Sequence, residues 1–172
     1  GTDDWPLFPS MGDSNGVYHP AMLMDTSGAP HIAWMHDTWT RGLHVREYHA
    51  SNNQWTGYGG SAREPGLITS QACLVLSAPC LWKQTNGAMG VVWPQGGGST
   101  GIEGMTSLYM KVWNSGYMCW TSIGRSVEGL GVNVGGRPVI WACATPSFGN
   151  PVVAFAEEIS GGDAYTYFPV VR

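Results

Sequence analysis

Charge is scarce in this sequence. Only 12% of its 172 residues are Asp, Glu, Lys or Arg, with 8 cations against 12 acids. No run or stripe of Lys and Arg stands out. The electrostatic footprint of a nucleic-acid binder is therefore missing, as is the basic amphipathic stretch of a membrane-surface helix. No apolar run reaches the roughly 18 residues that a spanning helix needs. The sequence predicts no nucleic-acid partner and no membrane insertion. Sustained 3.6-residue periodicity is also missing, and helix breakers abound, with 25 glycines and 11 prolines.

Catalytic signatures are missing too. There is no HExxH, no GxSxG, no phosphate-binding glycine loop and no dinucleotide fingerprint. Nothing in the sequence calls for a cofactor. The four cysteines, Cys73, Cys80, Cys119 and Cys143, form no CxxC pair, and four cysteines allow three pairings. Cys80 and Cys143 lie in apolar strand-like runs. They read as buried free thiols, with Cys73 and Cys80 the pair to test for a disulfide.

What is present is short and apolar. Aromatic and β-branched runs alternate with Gly, Pro, Asn and Ser, the pattern of an all-β protein. The hydrophobic fraction, 43%, suits a folded core and excludes a disordered chain.

The runs repeat. From Pro20 to Gly28 is eight positions, and from Gly28 to Trp34 is six. Pro79, Gly87 and Trp93 keep the same spacing. Pro138, Gly149 and Phe155 form a third copy, with three extra residues before the glycine. A second segment repeats as well: Leu43 to Trp55 and Leu108 to Trp120 are both twelve positions. Within it Arg46 matches Lys111, and Tyr48 matches Trp113.

Each unit predicts four strands, a to d. In the first they fall at about 21–26, 30–36, 43–50 and around Trp55. Gly and Asn supply the positive-φ positions of tight hairpins. Four antiparallel strands, radially repeated, describe a β-propeller blade. The expected blades are about 17–60, 72–125 and 132–172. The third unit lacks strand d, and residues 4–9 resemble one: Trp5 to Phe8 aligns with Trp55 to Tyr58 and with Trp120 to Ile123. That strand is expected to complete the last blade of the same or a neighbouring chain. Three blades fall short of the usual four to eight. The expectation is a homodimer, or larger closed ring, with two chains forming six blades.

The segment Asp25-Thr-Ser-Gly28-Ala-Pro30-His31-Ile32-Ala33-Trp34 resembles the repeat of secreted bacterial and fungal propeller lectins. The resemblance implies a propeller, a secreted or cell-surface location and glycan partners. The Ser-x-Asp-x-Gly-x-x-Trp box of sialidase-type propellers is absent.

Candidate site residues follow from loop placement. The b–c and d–a connections share one rim, which collects Asp13, Asp37, Glu64, Glu103, Glu128, Glu157, Glu158 and Asp163, eight of the twelve acids. A sugar site needs an apolar ring beside charge-assisted hydrogen bonds. Trp39, between Asp37 and Arg41, is the leading candidate. His36, Arg63, Glu64, Glu103 and Glu157 join it as ligand-binding candidates. Trp34, Trp55, Trp93 and Trp120 recur at repeat positions and read as packing between blades. Trp82 and Trp141 suit either core or pocket wall. His31 reads as a structural position of the repeat, and no His-x-His pair suggests a metal. The function expected is non-catalytic carbohydrate binding. The alternatives are a protein-interaction module and a polysaccharide-processing enzyme using rim carboxylates.

Overall fold

The computed structural model describes residues 17–36, 42–62, 73–74, 78–97, 106–123, 137–144, 152–161 and 164–171. All regular structure there is β, apart from one 3-10 turn at Gly59–Ala62. The first sheet contains β1 (Val17–Met24), β2 (Pro30–His36), β3 (Gly42–His49) and β4 (Gln54–Gly57), paired antiparallel in chain order. The second contains β5 (Cys73–Leu74), β6 (Cys80–Lys83), β7 (Met89–Gly97), β8 (Thr106–Asn114) and β9 (Cys119–Ser122). In the third, β10 (Arg137–Ala144), β11 (Val152–Gly161) and β12 (Ala164–Val171) form another antiparallel meander.

The first strand of the first unit is longer than the sequence predicts. It begins at Val17, and its register shifts between Tyr18 and Ala21, where His19 takes a φ of 54°. The second sheet divides the same edge between two strands. β6 pairs with β7 at Met89–Val92, and β5 pairs with it at Gly96–Gly97.

The turns repeat in atomic detail. In the first sheet Asp25 N–H donates to the Ala29 carbonyl, and Gly28 N–H to that of Asp25, both at 3.0 Å. In the second, Gln84 N–H donates to Ala88 at 2.9 Å and Gly87 N–H to Gln84 at 2.8 Å. Gly28 and Gly87 have φ of 81° and 84°, values that cost other L-residues energy.

Period-2 alternation gives each sheet two faces, and the sheets stack through them. Ala33, Met35, Leu43 and Val45 of the first sheet bury against Leu81, Met89, Val91 and Trp93 of the second. The opposite face of the second sheet, with Trp82, Val92, Leu108 and Met110, buries against Val153 of the third. Trp82 is thus core. Its ring lies against Gly90, leaving no room there for a Cβ.

The cysteine expectation is corrected. Cys80 of β6 and Cys143 of β10 form a disulfide, with Cα atoms 6.3 Å apart, which ties the second sheet to the third. Neither is a free thiol, and Cys80 does not pair with Cys73. Both face the shared core because their strand partners, Val92 and Val153, do. Cys119 is exposed and free.

The repeat tryptophans divide between roles. Trp93 packs between the first two sheets, and Trp120 donates from Nε1 to the Tyr58 carbonyl at 3.1 Å, also across that junction. Trp34 sits on the other face of the first sheet. It stacks on His44 at 5.3 Å between ring centroids, with the Arg46 guanidinium 5.7 Å from its own.

Candidate functional site

The most developed polar constellation lies at the turn end of the first sheet. Asp25 follows β1, His31 is the second residue of β2, and Glu47 lies opposite His31 on β3. Tyr58 follows β4, and Lys83 reaches in from the end of β6 in the second sheet.

Asp25 is the hub. Its Oδ1 accepts from Ser27 N–H at 2.8 Å, Ser27 Oγ–H at 2.6 Å and Ala29 N–H at 2.8 Å, which fixes the turn. Its Oδ2 accepts from Lys83 Nζ at 2.6 Å and lies 3.4 Å from His31 Nε2. The side chain is only 5% exposed, so these donors replace water. The Lys83 ammonium first, and then Ser27, hold the carboxyl far below the usual carboxylate range. It is an anion at any ordinary pH.

His31 is fully buried. Tyr58 Oη donates to Glu47 Oε2 at 2.9 Å, which commits the phenol proton. The 2.8 Å contact between Tyr58 Oη and His31 Nδ1 is then donated by the imidazole. His31 Nε2 approaches Asp25 Oδ2 to 3.4 Å without a hydrogen bond. Burial lowers the pKa of His31 more than its acidic neighbours raise it. Burial, and then the bond to Glu47, pushes the Tyr58 phenol far above its ordinary range.

Asp25, His31 and Glu47 offer three ligand atoms within 4.8 Å of one another. They are already engaged: Lys83 holds Asp25, and Tyr58 joins His31 to Glu47. A cation would have to displace the ammonium from Asp25. The donor set is a network joining two sheets in which the buried His31 Nε2 is left without a hydrogen bond, and the fixed anion at Asp25 is no proton donor. The second unit places Gln84, Gly90, Val112 and Ile123 at the positions of Asp25, His31, Glu47 and Tyr58. The network therefore does not recur in the second unit.

The sequence-predicted candidates lie elsewhere. Asp37, Trp39, Arg41, Arg63, Glu64 and Glu103 fall outside the described residues. His36 and Glu157 are placed by backbone alone. His36 ends β2 opposite Gly42, at the far end of the sheet from Asp25, and Glu157 on β11 pairs with Pro138 and Phe168. Sequence reasoning took the longer connections as the site and missed the Asp25 network at the tight turns. The Asp25–Gly28–His31 spacing was its one visible signal; Lys83 and Tyr58 join only through the fold.

No protein-family model and no curated protein matches the sequence. Among solved structures, an endo-arabinase from Bacteroides thetaiotaomicron is similar, with a TM-score of 0.50 at 12% identity. The match covers 91% of this chain and 55% of that one. The likeness is one of fold. This chain spans about half the length of that structure.

Proposed function

We propose that the chain is a set of β-propeller blades that recognises carbohydrate at the rim opposite the Asp25 network. The observation that carries this reading is the fold: successive antiparallel meanders stacked face to face, like those of an endo-arabinase over 91% of the chain. In this reading Trp39 supplies the sugar-stacking ring. Asp37, Arg41, His36, Arg63, Glu64, Glu103 and Glu157 supply hydrogen bonds. Two chains close one ring, and its repeated shallow sites raise avidity. The Cys80–Cys143 disulfide supports an oxidising compartment, in keeping with a secreted or cell-surface protein.

Binding without turnover is the form proposed. The observation favouring a second reading, hydrolysis by rim carboxylates, is that the similar structure is an endo-arabinase. Calorimetric titration with arabinan and other soluble polysaccharides, alongside an assay for new reducing ends, separates the two. Saturable binding with no new reducing ends is expected. Release of reducing ends replaces the lectin reading with the enzyme reading, and failure to bind any polysaccharide overturns both.

A further inference from the structure

One buried nitrogen of the Asp25 network lacks a partner. His31 is completely buried, and its Nε2 makes no hydrogen bond. A polar atom left unpaired inside a protein costs free energy, and native structures give nearly all such atoms a partner. The nitrogen is aimed at an anion. Asp25 Oδ2 lies 3.4 Å away, on a side chain that is itself only 5% exposed. An unpaired imidazole nitrogen facing a buried carboxylate is a donor pair that suits a cation.

The rest of the cluster is arranged as metal sites are. Tyr58 Oη accepts from His31 Nδ1 at 2.8 Å and donates to Glu47 Oε2 at 2.9 Å. A metal-bound histidine is held in the same way, its second nitrogen bonded to an oxygen that fixes the ring. Strand pairing sets Glu47 opposite His31, and one ligand atom from each of Asp25, His31 and Glu47 lies within 4.8 Å of the other two. The spacing agrees. Bonds of about 2.0 Å at a tetrahedral angle put two ligand atoms about 3.3 Å apart. Asp25 Oδ2 and His31 Nε2 stand at 3.4 Å. Asp25 already holds a cation, the Lys83 ammonium, at 2.6 Å. Lys83 is 26% exposed, and its flexible stem can carry the ammonium out to water. Tyr58 engages one oxygen of Glu47, and a carboxylate has two.

We propose that Asp25, His31 Nε2 and Glu47 bind one divalent transition metal of the zinc class, in place of the Lys83 ammonium. The donor set chooses the class: one imidazole with two carboxylates suits zinc and its neighbours, whereas calcium and magnesium take oxygen alone. Water fills the fourth position. The ion ties the turn after β1 to β2 and β3, and it releases the tie that Lys83 makes to the second sheet. The second unit, with Gln84, Gly90 and Val112 at the ligand positions, offers no equivalent. The inference is independent of what the rim binds.

Calorimetric titration of the full chain with zinc chloride tests it, with Cys73→Ser and Cys119→Ser in place so that no thiol at those positions competes. One zinc ion per chain is expected, with a higher urea midpoint when zinc is present and no such response to calcium. Cobalt(II) should give the visible absorption of a four-coordinate nitrogen and oxygen site. His31→Asn should abolish both signals. Lys83→Leu, which removes the competing ammonium and offers no ligand atom, should bind zinc about tenfold tighter. That variant keeps the test decisive even if His31→Asn fails to fold. A chain that binds no zinc overturns the inference. So does binding that survives His31→Asn, or binding that Lys83→Leu does not tighten.

Discussion

Lys83 Nζ lies 2.6 Å from Asp25 Oδ2, and that ion pair fastens the second sheet to the first turn of the first. Lys83 is partly exposed and Asp25 nearly buried, so the two partners have unequal value. Lys83→Met should cost about 1–2 kcal/mol, between an exposed and a buried pair. Asp25→Ala should cost more, about 3 kcal/mol, because Lys83 and the Ser27 and Ala29 donors all lose their acceptor. Urea unfolding of the two variants measures the order; equal losses would contradict it.

The network makes the fold acid-sensitive in two stages. His31 has a lower pKa folded than unfolded, so its contribution is complete above its ordinary value of about 6.5 and is lost as pH falls below it. Asp25 is depressed as well, so its contribution is lost only below the ordinary carboxylate range, about 3.9. Urea midpoints should therefore fall between pH 7.5 and pH 5. In His31→Asn, which cannot take up the proton, they should fall less. A variant that follows the native curve would remove His31 from the first stage.

The Cys80–Cys143 bridge closes a sequence separation of 63 residues. Chain-entropy arguments give a loop of that size about 4 kcal/mol. Cys143→Ser, or mild reduction, should lower stability by that order, and Cys119→Ser should leave it unchanged. Mass spectrometry of unreduced peptides should find residues 80 and 143 in one linked species.

Gly90 is where the second unit departs from the first, since the Trp82 ring occupies the space beside it. Gly90→Ala should cost about 1–3 kcal/mol through overpacking, and Trp82→Ala about 3–5 kcal/mol through a cavity. Introducing alanine at Gly90 into the Trp82→Ala chain should cost much less, a coupling that a double-mutant cycle reads directly.

The strands were legible in the sequence because hairpin geometry is local. Gly28 and Gly87 must take positive φ, and the aromatic six positions later marks the partner strand. Sheet order followed from the repeat. What joins one sheet to the next was not legible. Cys80 with Cys143, Lys83 with Asp25, and Trp120 with the Tyr58 carbonyl link residues 58 to 63 positions apart. Such contacts depend on which faces stack, and only the assembled fold decides that. His31 shows the limit of pattern reading. Its spacing marks a repeat position, yet its chemistry comes from Tyr58 and Asp25, which burial brings to its two nitrogens.

The central claim is carbohydrate recognition at the rim, and a broad glycan array, run with and without calcium, tests it most directly. The account predicts binding to a family of related glycans, independent of calcium and weakened by Trp39→Ala in a chain of unchanged circular dichroism. A folded native chain that binds no glycan on the array would contradict it.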